Sequence, residues 1–128
     1  MKFALGGGDS IHVVSVVDMA VPLGFDIYSG YLPDTAEIEK AAREHADKVI
    51  AGTLEKLKAV FPGVPITTDV LFGSPDSRIV ETAEEMAVDM IVLGSHGYSR
   101  WERLLLGSVS DSVVHHAHCS VLIVRNAE

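Results

Sequence analysis

Glycines and serines that follow an apolar run are the residues of this chain best placed to do chemistry. Met90-Ile91-Val92-Leu93 leads into Gly94-Ser95-His96-Gly97, and after nine more residues comes Gly107-Ser108. Glycine lets backbone amides approach an anion with no side chain in the way, and it tolerates the positive φ at which amides converge. A helix that begins near Ser108 adds unpaired N–H groups and a positive dipole end. The spacing therefore predicts a phosphate-binding loop over residues 94–108.

Side-chain hydroxyls and the absence of two known motifs bear on the same loop. Ser108 and Ser110 can donate hydrogen bonds to phosphate oxygens. The chain contains neither a Walker A sequence nor the GxGxxG dinucleotide fingerprint, so the ordinary ATPase and Rossmann interpretations lose their main support. Taken alone, glycines after a strand also fit a plain turn between strand and helix. The glycines by themselves leave the turn and the binding site equally open.

Four side chains near the end of the chain raise the question of a metal site: His115, His116, His118 and Cys119. A structural zinc site uses four ligands in recognisable pairs, and a clear second pair is missing from this sequence. Histidines near the end of a helix also suit the negative pole of its dipole. We therefore predict a polar helix end and no metal site.

The charged side chains inside the loop are weaker candidates. His96 has no partnered nucleophile or acid at a recognisable spacing, so we interpret it as a residue that positions the loop and not as a general base. Arg100 and Arg103 fit contacts with a γ-phosphate and fit solvated surface charges equally well.

Strands alternate with helices along the chain. Clusters of β-branched and other apolar residues predict strands at Ile11–Val17, Ile66–Phe72, Met90–Leu93 and Val121–Val124. Capping and spacing predict helices from Asp34 to about Phe61, from Pro75 onwards, and from Val109 to His116. The alternation predicts a parallel sheet with ligands beyond the carboxyl ends of its strands. The loop after Leu93 is at such an end, and we expect its strand to be central, with helices over both faces.

The helix that begins at Pro75 has two predicted faces. The apolar face comprises Ile79, Val80, Ala83, Met86 and Ala87. The acidic residues are interpreted as its solvated face, namely Asp76, Glu81, Glu84 and Glu85.

Composition limits the classes of function. A chain of 128 residues is the size of a single domain, here 1–128. The net charge of −8 repels polyanions, so we expect neither general nucleic-acid binding nor docking on an acidic membrane. A single cysteine and the lack of a signal-like or membrane-spanning apolar run predict a cytoplasmic protein.

A resemblance to a known family covers Ile11 to Arg125 and is closest over VDMIVLGSHGYSRWERLLLGSVSDSVVHHAHCSVLIVR. The family pattern of glycine, two residues, glycine, nine residues, glycine and serine is matched by Gly94, Gly97, Gly107 and Ser108. The turn Gly73-Ser74-Pro75 matches the family as well. On these residues the chain resembles the universal stress proteins of the nucleotide-binding kind.

The resemblance implies an α/β fold with a three-layer, open, mainly parallel sheet and helices on both faces, similar to the adenine nucleotide alpha hydrolases. It implies an ATP site, with or without Mg²⁺, in which Gly94 lies by the ribose, the later residues hold the phosphates, and Leu93 and Val16 line the adenine pocket. The cofactor-binding residues predicted in this way are Val16, Leu93, Gly94, Gly97, Gly107, Ser108, Val109 and Ser110. It also implies a homodimer in which the last strand, Ser120 to Arg125, pairs with its copy.

The beginning of the sequence departs from the family pattern. Family members begin with a strand, an Asp-containing turn and a helix, and then the strand matched here by Ile11–Val17. Gly6 to Ser10 is too short for a parallel crossover. We therefore expect Phe3-Ala4-Leu5 to be the stub of that helix and the strand that carries the adenine-recognising aspartate to be absent. Asp9 stands just before a strand, which is the wrong place for that role. Two hypotheses follow: nucleotide affinity is weak, or a segment of the natural protein precedes this sequence.

The first functional hypothesis is an ATP-binding regulatory module of the stress response without strong catalytic activity. The second is a nucleotide-free dimeric scaffold of the same fold. The third, least favoured, is a slow ATP hydrolase that uses His96 with a divalent ion.

Overall fold

The computed structural model describes residues 4–18, 35–94 and 107–125. The elements in chain order are β1 (Ile11–Val17), α1 (Thr35–Val60), β2 (Ile66–Phe72), α2 (Pro75–Glu85), β3 (Met90–Gly94), α3 (Ser108–His116) and β4 (Ser120–Val124). Apart from the end of α2, the boundaries predicted within these ranges are correct to within one residue. The cap at Asp34 lies outside the described residues. By its contacts the chain divides into two compact units, Met1–Gly73 and Ser74–Glu128.

The first unit places α1 against a parallel pair of strands. β1 and β2 run in register from Ile11 opposite Ile66 to Val17 opposite Phe72. Ala46 and Ile50 lie one turn apart on α1 and are 3% and 7% exposed, so this stripe of the helix forms the core of the unit. After α1 the chain turns at Gly63, whose φ of +89° is the left-handed conformation that glycine adopts readily.

The residues before β1 form a tight turn and not a helix. Ala4 and Leu5 are outside any helix or strand, so the expected helix stub is wrong for these two residues, and Phe3 lies outside the described part. The Asp9 carboxylate accepts a hydrogen bond from the Gly6 amide at 2.8 Å, and the Asp9 amide donates to the Gly6 carbonyl at 3.1 Å. The carboxylate and the amide of Asp9 therefore both contact Gly6 within the same turn.

The second unit contains the other parallel pair of strands. β3 and β4 run in register from Met90 opposite Ser120 to Gly94 opposite Val124. α3 packs against α2 and against β4, and its Val113 is completely buried, while Ile91 on β3 is 8% exposed. These two side chains form the core of the second unit.

One face of the second strand pair is open. Val92 is 58% exposed and Val124 is 51% exposed, although both are apolar residues in strands. Among the described residues β3 pairs only with β4, so its expected place as a central strand with both faces covered stays a prediction. An apolar run shows that a strand forms, but it does not show what covers each face.

The end of α2 also differs from the prediction. The Ala87 amide donates to the Glu84 carbonyl and the Val88 amide to the Ala83 carbonyl, both at 3.1 Å, with Ala87 at a φ of +51°. This is the Schellman arrangement that closes helix C-termini. Met86 and Ala87 therefore lie beyond the helix and not on its apolar face, and Met86 is 47% exposed.

Candidate functional site

The start of α3 presents backbone amides that have no acceptor inside the helix. Gly107 is the N-cap, with φ −63° and ψ 159°, and it supplies no capping side chain. The first hydrogen bond back to the cap runs from the Asp111 amide to the Gly107 carbonyl, at 2.9 Å. The amides of Ser108, Val109 and Ser110 precede that bond, and helix geometry leaves such amides without an intrahelical partner. Three N–H donors at the positive end of a helix dipole attract an anion.

The two predicted hydroxyl donors on α3 differ in their surroundings. Ser108 is exposed, so its hydroxyl is accessible to a ligand. Ser110 is 4% exposed, and its Oγ donates to the Gly94 carbonyl at 2.6 Å. This bond joins the last residue of β3 to the first turn of α3. The Ser110 hydroxyl is therefore engaged within the protein.

Gly94 leaves open space at the carboxyl end of β3. A Cβ placed on Gly94 would meet no atom of the described residues within 4 Å, and the backbone φ is not in the left-handed region. Neither local packing nor backbone conformation therefore requires glycine at this position. A phosphate group needs room and amide donors, and the described residues offer both: space beside the strand end and helix-start amides without an intrahelical partner.

The first turn of α2 carries a carboxylate that is held by three donors. Asp76 accepts hydrogen bonds from the Ser74 hydroxyl at 2.6 Å, the Ser112 hydroxyl at 2.7 Å and the Ser77 amide at 2.9 Å. These bonds, the one from Ser74 foremost, lower the pKa of Asp76 to about 2. The interpretation of Asp76 as part of a solvated helix face is therefore wrong, because its carboxylate links α2 to α3.

The histidines at the end of α3 have partners of their own. His115 Nδ1 lies 2.8 Å from the Asp111 carbonyl, and His116 Nδ1 lies 2.8 Å from the Ser112 carbonyl. His118 Nε2 is 3.0 Å from a Glu84 carboxylate oxygen. In the described ranges, no group of three or more His, Cys, Asp or Glu side chains is arranged to hold a metal ion.

The predicted nucleotide-binding residues divide into three sets. Gly94, Gly107, Ser108, Val109 and Ser110 belong to the second unit, at the end of β3 and the start of α3. Leu93, on the same strand, is half-buried.

Val16 belongs to the first unit, where it lies half-buried on β1. Gly97 lies outside the described residues, as do His96, Arg100 and Arg103. The roles predicted for these side chains remain predictions.

Comparison with protein families gives one match along nearly the whole chain. A model described as "Universal stress protein family" matches residues 1–125. Universal stress protein MJ0531 of Methanocaldococcus jannaschii is 35% identical over 119 residues, which cover 85% of this chain and 70% of that protein.

Among the described helices, none has the length and apolar composition that a membrane span requires.

Solved structures give the same result for the fold. The crystal structure of the hypothetical protein PH0823 matches with a TM-score of 0.71 and 25% identity, over 93% of this chain and 78% of that chain. A universal stress protein crystallised in complex with cAMP matches with a TM-score of 0.50 and 24% identity, over 92% of this chain and 75% of the other. These matches confirm the predicted three-layer α/β fold class.

Proposed function

This chain belongs to the universal stress protein family, and from that premise we propose that it is an adenine-nucleotide-binding, regulatory stress-response protein of the cytoplasm, with ATP as its ligand. The phosphates bind at the start of α3, on the amides of Ser108, Val109 and Ser110 and the exposed hydroxyl of Ser108. Gly94 leaves room for the ribose beside the end of β3. A Mg²⁺ ion that accompanies ATP is held mainly by the phosphates and water, as is usual for this ion.

The observation that carries this proposal is that amides without an intrahelical partner lie near a strand end where the described residues leave room. The first turn of α3 offers three amides and no capping side chain, and Gly94 offers a strand end where a Cβ would meet nothing. A related fold that was crystallised with cAMP supports an adenine nucleotide as the occupant. The net charge of −8 opposes anion binding over the surface in general, so binding depends on this local arrangement.

We assign the site a binding role and not a catalytic one. Asp76 follows the turn Gly73-Ser74-Pro75 directly. Its carboxylate has a pKa of about 2 and is a weak base. Its three hydrogen bonds also hold it in a structural contact. Asp76 is therefore not expected to act as a general base in ATP hydrolysis.

Calorimetric titration with ATP, ADP, AMP and adenosine tests the proposal. Affinity should rise with the number of phosphates, because the proposed donors contact phosphate and not the base. Ser108→Ala should weaken ATP binding about 10- to 100-fold, as expected for one hydrogen bond to a charged group. The matched control is Ser77→Ala, because Ser77 is an exposed serine in the first turn of α2. This variant should bind ATP with unchanged affinity.

Two results would contradict this assignment. Absence of ATP binding at millimolar concentration would remove the proposed function. Equal affinity for adenosine and ATP would keep a nucleoside site but remove the phosphate contacts at α3.

A dimeric scaffold is the second candidate, and the open apolar face of the second strand pair favours it. Val92 and Val124 are more than half exposed, and among the described strands β4 pairs only with β3. We propose that segment 120–125 pairs with its copy in a homodimer. Sedimentation should show a dimer that Val124→Lys weakens, because a charge would replace an apolar contact. A monomeric unaltered protein at high micromolar concentration would rule this out.

A further inference from the structure

Ser110 has a hydroxyl that cannot serve both the protein and a phosphate as a donor. A serine hydroxyl carries one hydrogen, and in this structure that hydrogen is donated to the Gly94 carbonyl at 2.6 Å. The side chain is 4% exposed. If the hydroxyl turned toward a ligand, the hydrogen bond that satisfies it inside the protein would be lost.

The hydrogen bond from Ser110 to Gly94 connects the two elements that form the proposed nucleotide site, the start of α3 and the end of β3. Gly94 and Ser110 are 16 positions apart in sequence. Gly94 ends β3, paired with Val124 on β4, and Ser110 stands in the first turn of α3, beside the unpaired amides. A hydrogen bond between them fixes the distance from the strand end to the helix start before any ligand arrives. Such preorganisation reduces the ordering cost of binding.

A second bond holds the same helix from the other side. The Ser112 hydroxyl, two residues further along α3, donates to Asp76 on α2 at 2.7 Å. The helix is therefore tied by one serine to β3 and by the next serine to α2. Ser108, the third serine of this helix, is exposed and makes no comparable side-chain contact in the described part of the chain.

From these contacts we propose that Ser110 is a positioning residue of the nucleotide site, whose hydroxyl holds β3 and α3 together, and that Ser108 alone donates a hydroxyl to phosphate. This inference rests on the proposed nucleotide binding for its functional part. It changes the role that the family resemblance implies for Ser110. The Ser110 amide stays available to the ligand, but its hydroxyl does not.

Thermal unfolding without nucleotide, compared among three variants, tests the structural part. Ser110→Ala should lower Tm by about 3–6 °C, because it removes a buried hydrogen bond between α3 and β3. Ser110→Thr keeps the hydroxyl and should recover most of that loss. Ser108→Ala removes an exposed hydroxyl from the same helical turn and should leave Tm unchanged. Equal Tm values for Ser110→Ala and Ser108→Ala would overturn the proposal.

Nucleotide binding supplies a second readout that needs no destabilised variant. A crystal structure of the unaltered protein with ATP should keep Ser110 Oγ within hydrogen-bond distance of the Gly94 carbonyl, as in the protein without nucleotide. A nucleotide-bound structure in which Ser110 Oγ has moved from Gly94 to a phosphate oxygen would refute the positioning role.

The two proposals fail in different ways. If ATP does not bind, the proposed function is lost, but the Tm comparison still tests the Ser110 bond. If ATP binds and Ser110→Ala leaves Tm unchanged while it weakens ATP binding as much as Ser108→Ala does, the function stands and Ser110 is a phosphate ligand.

Discussion

The hydroxyl of Ser112 donates a hydrogen bond to the carboxylate of Asp76 across 2.7 Å, and this bond joins α3 to the first turn of α2. The other donors to Asp76, Ser74 and Ser77, belong to the turn in which it lies. The carboxylate therefore stabilises the start of α2 and fixes a second helix at the same time. Because α3 carries the proposed phosphate donors, we expect this contact to affect nucleotide binding as well as stability.

Asp76→Ala should lower the free energy of unfolding by about 1–3 kcal/mol, because the partly buried Ser112 hydroxyl loses its acceptor and the first turn of α2 loses its carboxylate. Urea denaturation monitored by circular dichroism measures the change. Glu85→Ala alters an exposed acid on the same helix and should stay within about 0.5 kcal/mol of the unaltered protein. Equal effects of the two substitutions would contradict the structural role of Asp76.

The pH dependence of stability follows from the pKa of the same carboxylate. The folded-state pKa of about 2 is below the ordinary aspartate value of 3.8, so the contribution of Asp76 is fully present above about pH 4 and is lost as pH falls toward 2. Asp76→Asn cannot ionise and should remove this part of the acid destabilisation. Unfolding free energies of the two proteins measured at intervals from pH 6 to pH 2 should therefore converge at the acid end. Parallel curves would refute the assignment.

Two positions with positive φ should respond to substitution in opposite directions. Ala87 has a φ of +51° at the end of α2, and Gly63 has a φ of +89° after α1. Glycine adopts this conformation at no steric cost, so Ala87→Gly should raise the free energy of unfolding by about 0.5–1 kcal/mol. Gly63→Ala should lower it by about 1 kcal/mol or more. Urea denaturation of both variants gives the two signs, and the same sign for both would contradict the described turns.

The sequence predicted the elements of this fold well because their signals are local. The predicted start of α3 is correct to within one residue. Gly107-Ser108 marks it locally, because Gly107 is the N-cap and also ends a glycine-containing loop. The start of α2 was placed at Pro75, a residue that favours the first helical turn. Signals of this kind are complete within a few neighbouring residues.

The contacts between elements were beyond sequence analysis because their partners are far apart in the chain. Asp76 and Ser112 are 36 positions apart, and nothing near Asp76 in sequence indicates a contact with α3. The engagement of Ser110 likewise depends on a carbonyl of β3. An acid directly after Ser-Pro at a helix start is the one local signal that favours a capping role for Asp76.

Gly94→Ala separates stability from nucleotide binding more sharply than any other substitution in the described part of the site. The added Cβ meets no atom within 4 Å and the backbone φ suits alanine, so the free energy of unfolding should stay unchanged or rise by up to about 1 kcal/mol. The methyl group occupies space proposed for the ligand, so the Kd for ATP should rise at least about tenfold. Gly52 lies in the exposed middle of α1, where a Cβ also meets no atom within 4 Å. Gly52→Ala should raise the free energy of unfolding by about 0.5–1 kcal/mol and leave the Kd for ATP unchanged. An unchanged Kd in Gly94→Ala, measured by calorimetry beside this control, would mean that the ligand does not approach the end of β3.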